Sequence, residues 1–402
     1  MVPYYLFFMF FGLSACLDYL RPDDDAVKKL KNVVFVLGFF FILFFVGFRY
    51  KIGSDWLVYI QLYEHGTPFL DLLQGHNLAF TEDFTEPGYK LFAALCHDIG
   101  LDFGMFVFLI TLFNTISLFT FLHKNGFRNK LVFLAIIMIL TAIIEFDILR
   151  QSIAFHVVLF AFVGDRIKPF RFYALVALAM MFHYTAVIYI VFYFFQKWNL
   201  TKKGLIFTTV LYFVSLFVTL PLITSFLQLI QPFAGGVLGA VIAKGQSLIK
   251  GFEFSRNISF TSLLNLMFLV LLSMNIEKLK LAFTESILLK MFIFYILLNV
   301  GLKEVQEVAD RFSYYFTFGI AFMFAMLTGL IRIREKKMLL MLTPAIFIMM
   351  RLQLHFKRES IRIGQTPYRN YFFIDETDEK LIKMRYDLMQ SKKLMEDEGK
   401  KN

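Results

Sequence analysis

Four arginines, a scatter of carboxylates and one histidine are the side chains whose types could carry a reaction. Arg49, Arg150, Arg311 and Arg351 each stand at the end of an apolar run. A guanidinium never loses its charge, and its planar fork pairs phosphate oxygens two at a time, which points to a diphosphate group as ligand. The competing use is snorkelling to lipid headgroups. Arg150 stands apart, because Gln151 follows it in a short polar interruption, Glu145 to Gln151, of a long apolar stretch. Asp55, Glu86, Glu145, Asp147, Glu304, Glu307 and Asp310 are candidates for taking a proton from an attacking hydroxyl. Their spacing singles out none of them, and most are expected to pair with arginines or cap helices. His183 interrupts a second apolar and aromatic run. It is either a hydrogen-bonded packing residue or a functional group facing a wet cavity. His156, six residues past Arg150, falls about 9 Å deeper along a helix axis and is expected to be structural. Trp56, Tyr59 and Tyr89 suit stacking on a sugar, and aromatics of this kind also form interfacial belts.

The sequence carries no His-x-x-x-His pair and no glycine-rich phosphate loop. Its only D-x-D lies in Asp23-Asp24-Asp25, within a short charged loop. No metal and no cofactor are expected. An activated donor would then bring its own leaving group.

The elements that must position these residues are membrane helices. Hydrophobic residues make up 58% of the chain, Phe alone supplies 54, and only 18% are charged, against roughly 25% in soluble proteins. Lipid can absorb that much apolar surface, whereas a soluble core cannot. The fold class is therefore all-α, a polytopic bundle of about twelve spans. They are placed near 2–18, 32–48, 103–123, 130–146, 149–164, 170–183, 184–197, 204–224, 258–275, 284–302, 310–331 and 337–353. The formal net charge of +10 does not indicate nucleic acid, because the cations sit mostly in short loops between apolar runs. Cys16 and Cys96 are too few and too far apart for a disulfide framework or a zinc site. The N-terminus lacks a basic n-region, so 2–18 is taken as a retained span rather than a cleaved signal.

Short loops rich in Lys and Arg, such as 21–31, 124–130, 166–171, 197–203 and 332–337, alternate with longer or mixed ones. By the positive-inside rule the first set is cytoplasmic. Both termini and the chemistry-bearing residues then face outside. To keep their flanking cations inside, 131–163 and 172–196 must each fold as a hairpin of arms about 21–25 Å long. Their tips, Glu145 to Gln151 and Phe182 to Thr185, would form the floor of an outward-facing cavity. The domain plan is a membrane domain over 1–353, with outer loops at 49–102 and 225–257, and a polar tail over 354–402 with a surface helix. Glycines and Pro232 give 225–257 the character of a lid, and Tyr89–Cys96 is a short amphipathic run expected in the interface. A carrier would place ionisable groups near the midplane. One-sided charges instead suit an enzyme working on a lipid-linked substrate.

Several motifs, taken together, resemble the EpsG/Wzy-type polysaccharide polymerases. Arg49 with Gly53-Ser54-Asp55-Trp56 and Tyr59 is similar to the family's R-x(3)-G-[TS]-D-[YW]-x-x-Y. Glu86-Pro87-Gly88-Tyr89 matches E-P-G-Y, Arg150-Gln151-Ser152-Ile153-Ala154 matches R-Q-x-[IL]-A, and Phe182-His183-Tyr184-Thr185-Ala186 matches F-H-x-[ST]-A. Arg311 to Tyr315 resembles a late R-x-x-x-Y, and Pro367-Tyr368-Arg369-Asn370 a closing P-Y-[KR]-N. The resemblance implies a GT-C-like polymerase at the outer face of the bacterial cytoplasmic membrane. It would transfer a growing glycan from undecaprenyl diphosphate to a hydroxyl of the next lipid-linked unit, with inversion. The lipid-linked oligosaccharide is then donor and acceptor, membrane lipids surround the enzyme, and a chain-length regulator and a flippase are further partners. Arg150 and Arg311 are expected on the diphosphate, with Arg49 and Arg351 next. His183 or Glu86 would accept the proton, and Asp55 would orient Arg49 or bind acceptor hydroxyls. Gln151, Trp56, Tyr89, Tyr315, Tyr368 and Arg369 are expected to contact substrate.

Two other classes fit less well. An O-antigen ligase is expected to carry its long outer loop late in the chain, and here the largest is early. A flippase or transporter of lipid-linked units predicts inverted repeats, and none is visible.

Overall fold

The computed structural model describes residues 2–20, 24–53, 55–77, 85–127, 129–142, 144–218, 260–279, 281–330 and 359–374, with single residues at 225, 229, 380, 382, 384, 387 and 388. The expected lid, 225–257, and the last expected span, 337–353, lie outside the described residues but for those single positions. The described chain is helical throughout, and its only extended pairing is a single antiparallel bridge between Arg49 and Asn370. Among the described residues four helical segments are long and apolar enough to cross a membrane: Val2–Tyr19, Asp25–Gly47, Phe103–Lys124 and Phe283–Gly301. Shorter apolar helices cover Lys130–Thr141, Leu149–Phe162, Pro169–Met180, Tyr184–Phe195, Thr261–Asn275 and Thr317–Met326.

The chain forms two units, one of Met1–Ala186 with Phe324–Asn402 and one of Val187–Met323. In the first, α1 (Val2–Cys16) lies on α7 (Lys130–Thr141), α6 (Phe103–Lys124) on α8 (Leu149–Leu159), and α8 on α9 (Pro169–Met180). Every residue from Leu131 to Met138 is buried, so α7 is surrounded by protein. On α1 the exposed residues Val2, Leu6, Met9 and Leu13 form one apolar stripe, the lipid-facing side of a spanning helix. The opposite side is aromatic, with Phe7 stacked on Phe45 at 4.4 Å. Between α6 and α8 small polar residues let the backbones approach. Asn114 Nδ2 donates to Ser152 Oγ at 3.0 Å, and Ser117 Oγ to the His156 carbonyl at 2.7 Å.

The loop expected at 21–31 is partly helix. α2 (Asp25–Ile42) starts seven residues before the apolar run, because the Asp24 side chain accepts from Ala26 N at 2.9 Å and caps it. Hydropathy marks where a helix enters lipid, which need not be where it starts. Nearby, Asp18 Oδ2 accepts from Leu131 N at 2.8 Å and Val132 N at 3.0 Å. It caps α7 from another helix, in place of the local cap that Asn129 does not supply. At its far end α2 runs into a π turn, Leu43–Gly47, closed by Phe48 N donating to Leu43 O at 3.1 Å. Such turns shift the direction of the following residues, here Arg49.

The helix interruptions expected at the two tips are present. Residues 142–148 separate α7 from α8, and α9 ends at Met180 before a 3-10 turn at Tyr184–Val187. The segment 49–102 folds as α3 (Trp56–Glu64), α4 (Phe69–Leu73) and α5 (Pro87–Asp98). Pro87 suits the first turn of α5, where no N–H is needed. Gly88 N donates to the Met181 carbonyl at 2.7 Å, and a Cβ at Gly88 would stand 2.7 Å from that same oxygen. The start of α5 therefore rests on the end of α9, and only glycine permits it.

The segment at and after the short helix Glu359–Gln365 straps onto the chain just past α2. Gly53 N donates to Gly364 O at 3.1 Å, Tyr50 N to Arg369 O at 3.1 Å, and Tyr371 N to Phe48 O at 2.7 Å. Asn370 Nδ2 reaches Phe44 O at 2.8 Å and Tyr4 OH reaches Gln365 O at 2.6 Å. The Thr366–Pro367 peptide is cis.

The second unit holds α10 (Ile188–Phe195), α11 (Lys202–Phe217), α12 (Phe260–Asn275), α13 (Phe283–Gly301) and α14 (Gln306–Tyr314), and α15 (Thr317–Leu330) begins in it. The span expected over 310–331 is broken at Tyr315-Phe316. There Phe316 N closes back onto Ser313 O at 2.9 Å. After the break α15 lies so close to α13 that a Cβ at Gly319 would overlap the backbone of Phe292.

Candidate active site

The centre of the first unit's polar cluster is Glu86, 2% exposed at the start of α5. Its two oxygens hold two different nitrogen-bearing side chains. Arg150 Nη1 lies 2.5 Å from Oε2, and His183 Nδ1 lies 2.7 Å from Oε1. Each partner stands beside a break between apolar helices, Arg150 in the first turn of α8 and His183 just past α9. Gly88 on Met181 brings the second of these within reach. Burial works against a charge on Glu86, but the hydrogen bond from His183 and the guanidinium of Arg150 outweigh it. They hold the carboxyl below its ordinary value.

An ionised carboxylate can only accept, so His183 Nδ1 carries the proton of that bond. In the neutral ring Nε2 is then a bare acceptor, the form a general base needs. The side chains of Arg150 and His183 are 24% and 13% exposed, against 3% for Glu86. The carboxylate is thus the buried anchor and the two nitrogen groups are its reachable edges. Arg150 also hydrogen-bonds the buried Tyr59 hydroxyl, and the Tyr59 ring lies 5.9 Å from that of Tyr89, itself 1% exposed.

Arg49 has a different setting. It is 5% exposed, donates from Nη1 to Val46 O at 2.6 Å and from Nη2 to Glu145 O at 3.4 Å, and lies 4.7 Å over the Phe146 ring. Its main chain is paired with Asn370. It ties α2, the 142–148 interruption and the C-terminal strap together. Asp147, in the same interruption, accepts from Gln365 Nε2 at 3.3 Å. Glu145 lies 3.5 Å from His156 Nε2.

The remaining expected residues divide by place. Asp55 is exposed at the start of α3, and Trp56 beside it is 8% exposed. Gln151 is buried in α8. Tyr368 stacks on Phe45 at 4.4 Å and donates to the Phe45 carbonyl at 2.8 Å, and the Arg369 carbonyl holds Tyr50. Arg311 and Tyr315 belong to the second unit, where Arg311 is exposed on α14 and Tyr315 O accepts from Tyr189 OH at 3.0 Å. Glu304 is buried there and Asp310 exposed. Arg351 lies outside the described residues. Among the described residues no three of His, Cys, Asp and Glu gather as a metal site.

Two residues near this region were not expected from the sequence. Tyr371 OH donates to Asp102 Oδ2 at 2.5 Å, and Asp102 also caps α6 by accepting from Met105 N at 2.8 Å. Asp102 could have been found as an acid just before a helical run. Tyr371 carried no signal, as its partner lies 269 positions away.

A model of the EpsG family matches residues 32–370. No curated protein and no solved structure matches the chain.

Proposed function

Since the chain belongs to the EpsG family, with its polysaccharide polymerase-like role and apolar spanning helices, we propose that it joins lipid-diphosphate-linked oligosaccharides into a polymer at the outer face of the bacterial cytoplasmic membrane. The observation that carries this is the carboxylate of Glu86 shared between His183 and Arg150. In this reading His183 is the general base and Arg150 the phosphate-binding cation, on the two sides of one anchor.

In the proposed reaction a hydroxyl of the incoming unit's terminal sugar attacks the anomeric carbon of the growing glycan. The bond from that carbon to the diphosphate oxygen breaks, and the electron pair leaves with the lipid diphosphate. His183 Nε2 takes the hydroxyl proton, while Glu86 holds the ring and stabilises the imidazolium that forms. Arg150 meets the charge that grows on the leaving diphosphate. Attack from the face opposite the leaving group inverts the anomeric centre. Undecaprenyl diphosphate is the carrier lipid this reading names, and O-antigen, capsule or exopolysaccharide would be its product.

The test is the glycan ladder of a strain lacking the gene, complemented with wild type or with Arg150→Ala at matched membrane levels. The expected result is one repeat unit on lipid in the deletion and a ladder restored by wild type alone. A full ladder in the deletion would sink the polymerase reading. So would lipid-linked units that accumulate on the inner leaflet, the outcome a flippase predicts.

A further inference from the structure

Beside the strap lies a cavity of about 320 Å³ that the catalytic scheme does not use. It is lined by Arg49 to Ile52 beyond α2, by α3, by the start of α6, by Phe146 and Leu149, and by Tyr371 and Ile374. The geometry points to a saccharide subsite, which holds a short stretch of glycan next to the reacting centre. This rests on the proposed polymerase function and adds to it the place where a glycan, rather than its lipid diphosphate, is held.

Charge is the first argument. Four charged side chains line the cavity, Arg49 and Lys51 against Glu64 and Asp102, so their formal charges cancel. A diphosphate needs a surplus of cations. A neutral ligand covered in hydroxyls, each both donor and acceptor, needs the mixture that is present. Arg49 is moreover turned onto the Val46 and Glu145 carbonyls.

The walls are the second argument. Tyr50, Trp56, Phe103, Phe146 and Tyr371 give the cavity the aromatic surface on which the C–H faces of sugar rings pack. The volume falls at the lower end of ligand sites, about 300–1,000 Å³. That suits a short saccharide and not a lipid chain.

Preformation is the third. Tyr371 is fixed by its bond to Asp102 and by lying on Gly104, where a Cβ would come 2.7 Å from its ring. Lys51 is held at φ 47°, left-handed backbone that a non-glycine residue adopts only when its surroundings impose it. The strap imposes it here, through the main-chain bonds of Tyr50 and Gly53 on either side. The cavity wall includes Leu149, and the next residue is Arg150. A glycan seated there would be delivered to the catalytic cluster.

The chain has two tryptophans, Trp56 and Trp198, and Trp198 is 72% exposed. A Trp198→Phe protein in lipid nanodiscs therefore makes Trp56 emission a reporter of the cavity. The probes are the lipid-free repeat-unit oligosaccharide, released by mild acid from the host's own lipid-linked precursor, and inorganic pyrophosphate. The oligosaccharide is expected to give a saturable change in emission and a matching calorimetric heat, and pyrophosphate neither. Glu64→Ala and Lys51→Gln are each expected to weaken oligosaccharide binding about tenfold, the effect of losing a charged hydrogen-bond partner. Arg150→Ala is expected to bind as wild type while polymerising about 10²–10³ times more slowly. Absence of both heat and emission change overturns the subsite. So does an unaltered affinity in both cavity variants, or displacement of the oligosaccharide by pyrophosphate. The polymerase reading fails separately, by the ladder of the deletion strain.

Discussion

Arg49 and Arg150 each open a motif in the sequence, though only Arg150 lies in a polar interruption of a longer apolar stretch. Their surroundings separate them. Arg49 donates to the carbonyls of Val46 and Glu145, lies over a phenyl ring, and has its main chain paired with the C-terminal strap. Arg150 shares a carboxylate with a histidine and keeps a quarter of its side chain exposed. A guanidinium satisfied by backbone carbonyls holds segments together. One that shares a carboxylate with a second titratable group has its charge set for a ligand. The same side chain therefore builds the fold at one place and, in the reading proposed here, does chemistry at the other.

The largest effects should fall on the Glu86 cluster. His183→Ala removes the proposed base and should lower the polymerisation rate by about 10²–10⁴. Arg150→Ala should lower it by about 10²–10³. Both are measured as polymer formed per unit of folded protein in membranes, so that any stability lost with a partner of the buried carboxylate is divided out. Glu86→Gln keeps the shape but loses the charge that fixes the histidine tautomer, and should fall between wild type and His183→Ala. If His183→Ala polymerised normally while Glu86→Gln did not, the carboxylate itself would be the base, the alternative that the sequence leaves open.

Arg49→Ala should do the reverse. Removing a buried cation's hydrogen bonds leaves the Val46 and Glu145 carbonyls without those donors and loosens the strap, at a cost of about 2–4 kcal/mol. The expected result is a lower thermal midpoint and less protein in the membrane. The rate per folded molecule should stay within about threefold, a shift under 1 kcal/mol. Normal folding with lost polymer in this variant would break the comparison and place Arg49 on substrate.

Apolar helices were legible because apolar run length is a local property, though only four of them reach spanning length among the described residues; the breaks before α8 and after α9 were legible because charged and polar residues stop an apolar run. The individual members of the site were legible as motifs. Their meeting at one carboxylate was not, because Glu86 lies 64 positions from Arg150 and 97 from His183. Gly88 carries that meeting, yet in the sequence it serves equally as a turn residue. The strap was hidden for another reason. It is held largely by main-chain bonds at Gly364, Arg369 and Tyr371, and main-chain donors leave no trace in side-chain identity. The start of α2 was misplaced because its first turns are charged, and hydropathy weighs only the part that enters lipid.

The cluster also has a pH signature. A carboxylate held below its ordinary value of 4.5 contributes stability above that value, and the contribution is lost as pH falls through the lowered one. The midpoint difference between His183→Ala and the double variant Glu86→Gln/His183→Ala, a comparison free of the imidazole's own protonation, should therefore be constant over about pH 6 to 8 and shrink only under acid conditions. A difference that changes within the neutral range would show that Glu86 is not held as an ion, and the tautomer argument for His183 would go with it.

The smallest effect tests whether a buried carboxylate must be chemical at all. Asp18 has a side chain only 1% exposed, as deeply set as Glu86. Its partners, however, are the main-chain N–H groups of Leu131 and Val132, with Lys31 at 3.6 Å. It replaces a missing helix cap, so Asp18→Ala should cost about 1–2 kcal/mol of stability and leave polymer per folded molecule unchanged. Asp18→Asn should recover part of the loss, because an amide oxygen still accepts from the helix terminus. If Asp18→Ala instead removed polymer at an unchanged thermal midpoint, burial and partner type would no longer separate a cap from a catalytic anchor. The distinction drawn between Arg49 and Arg150 rests on the same kind of partner, and it would then need activity data for every pair.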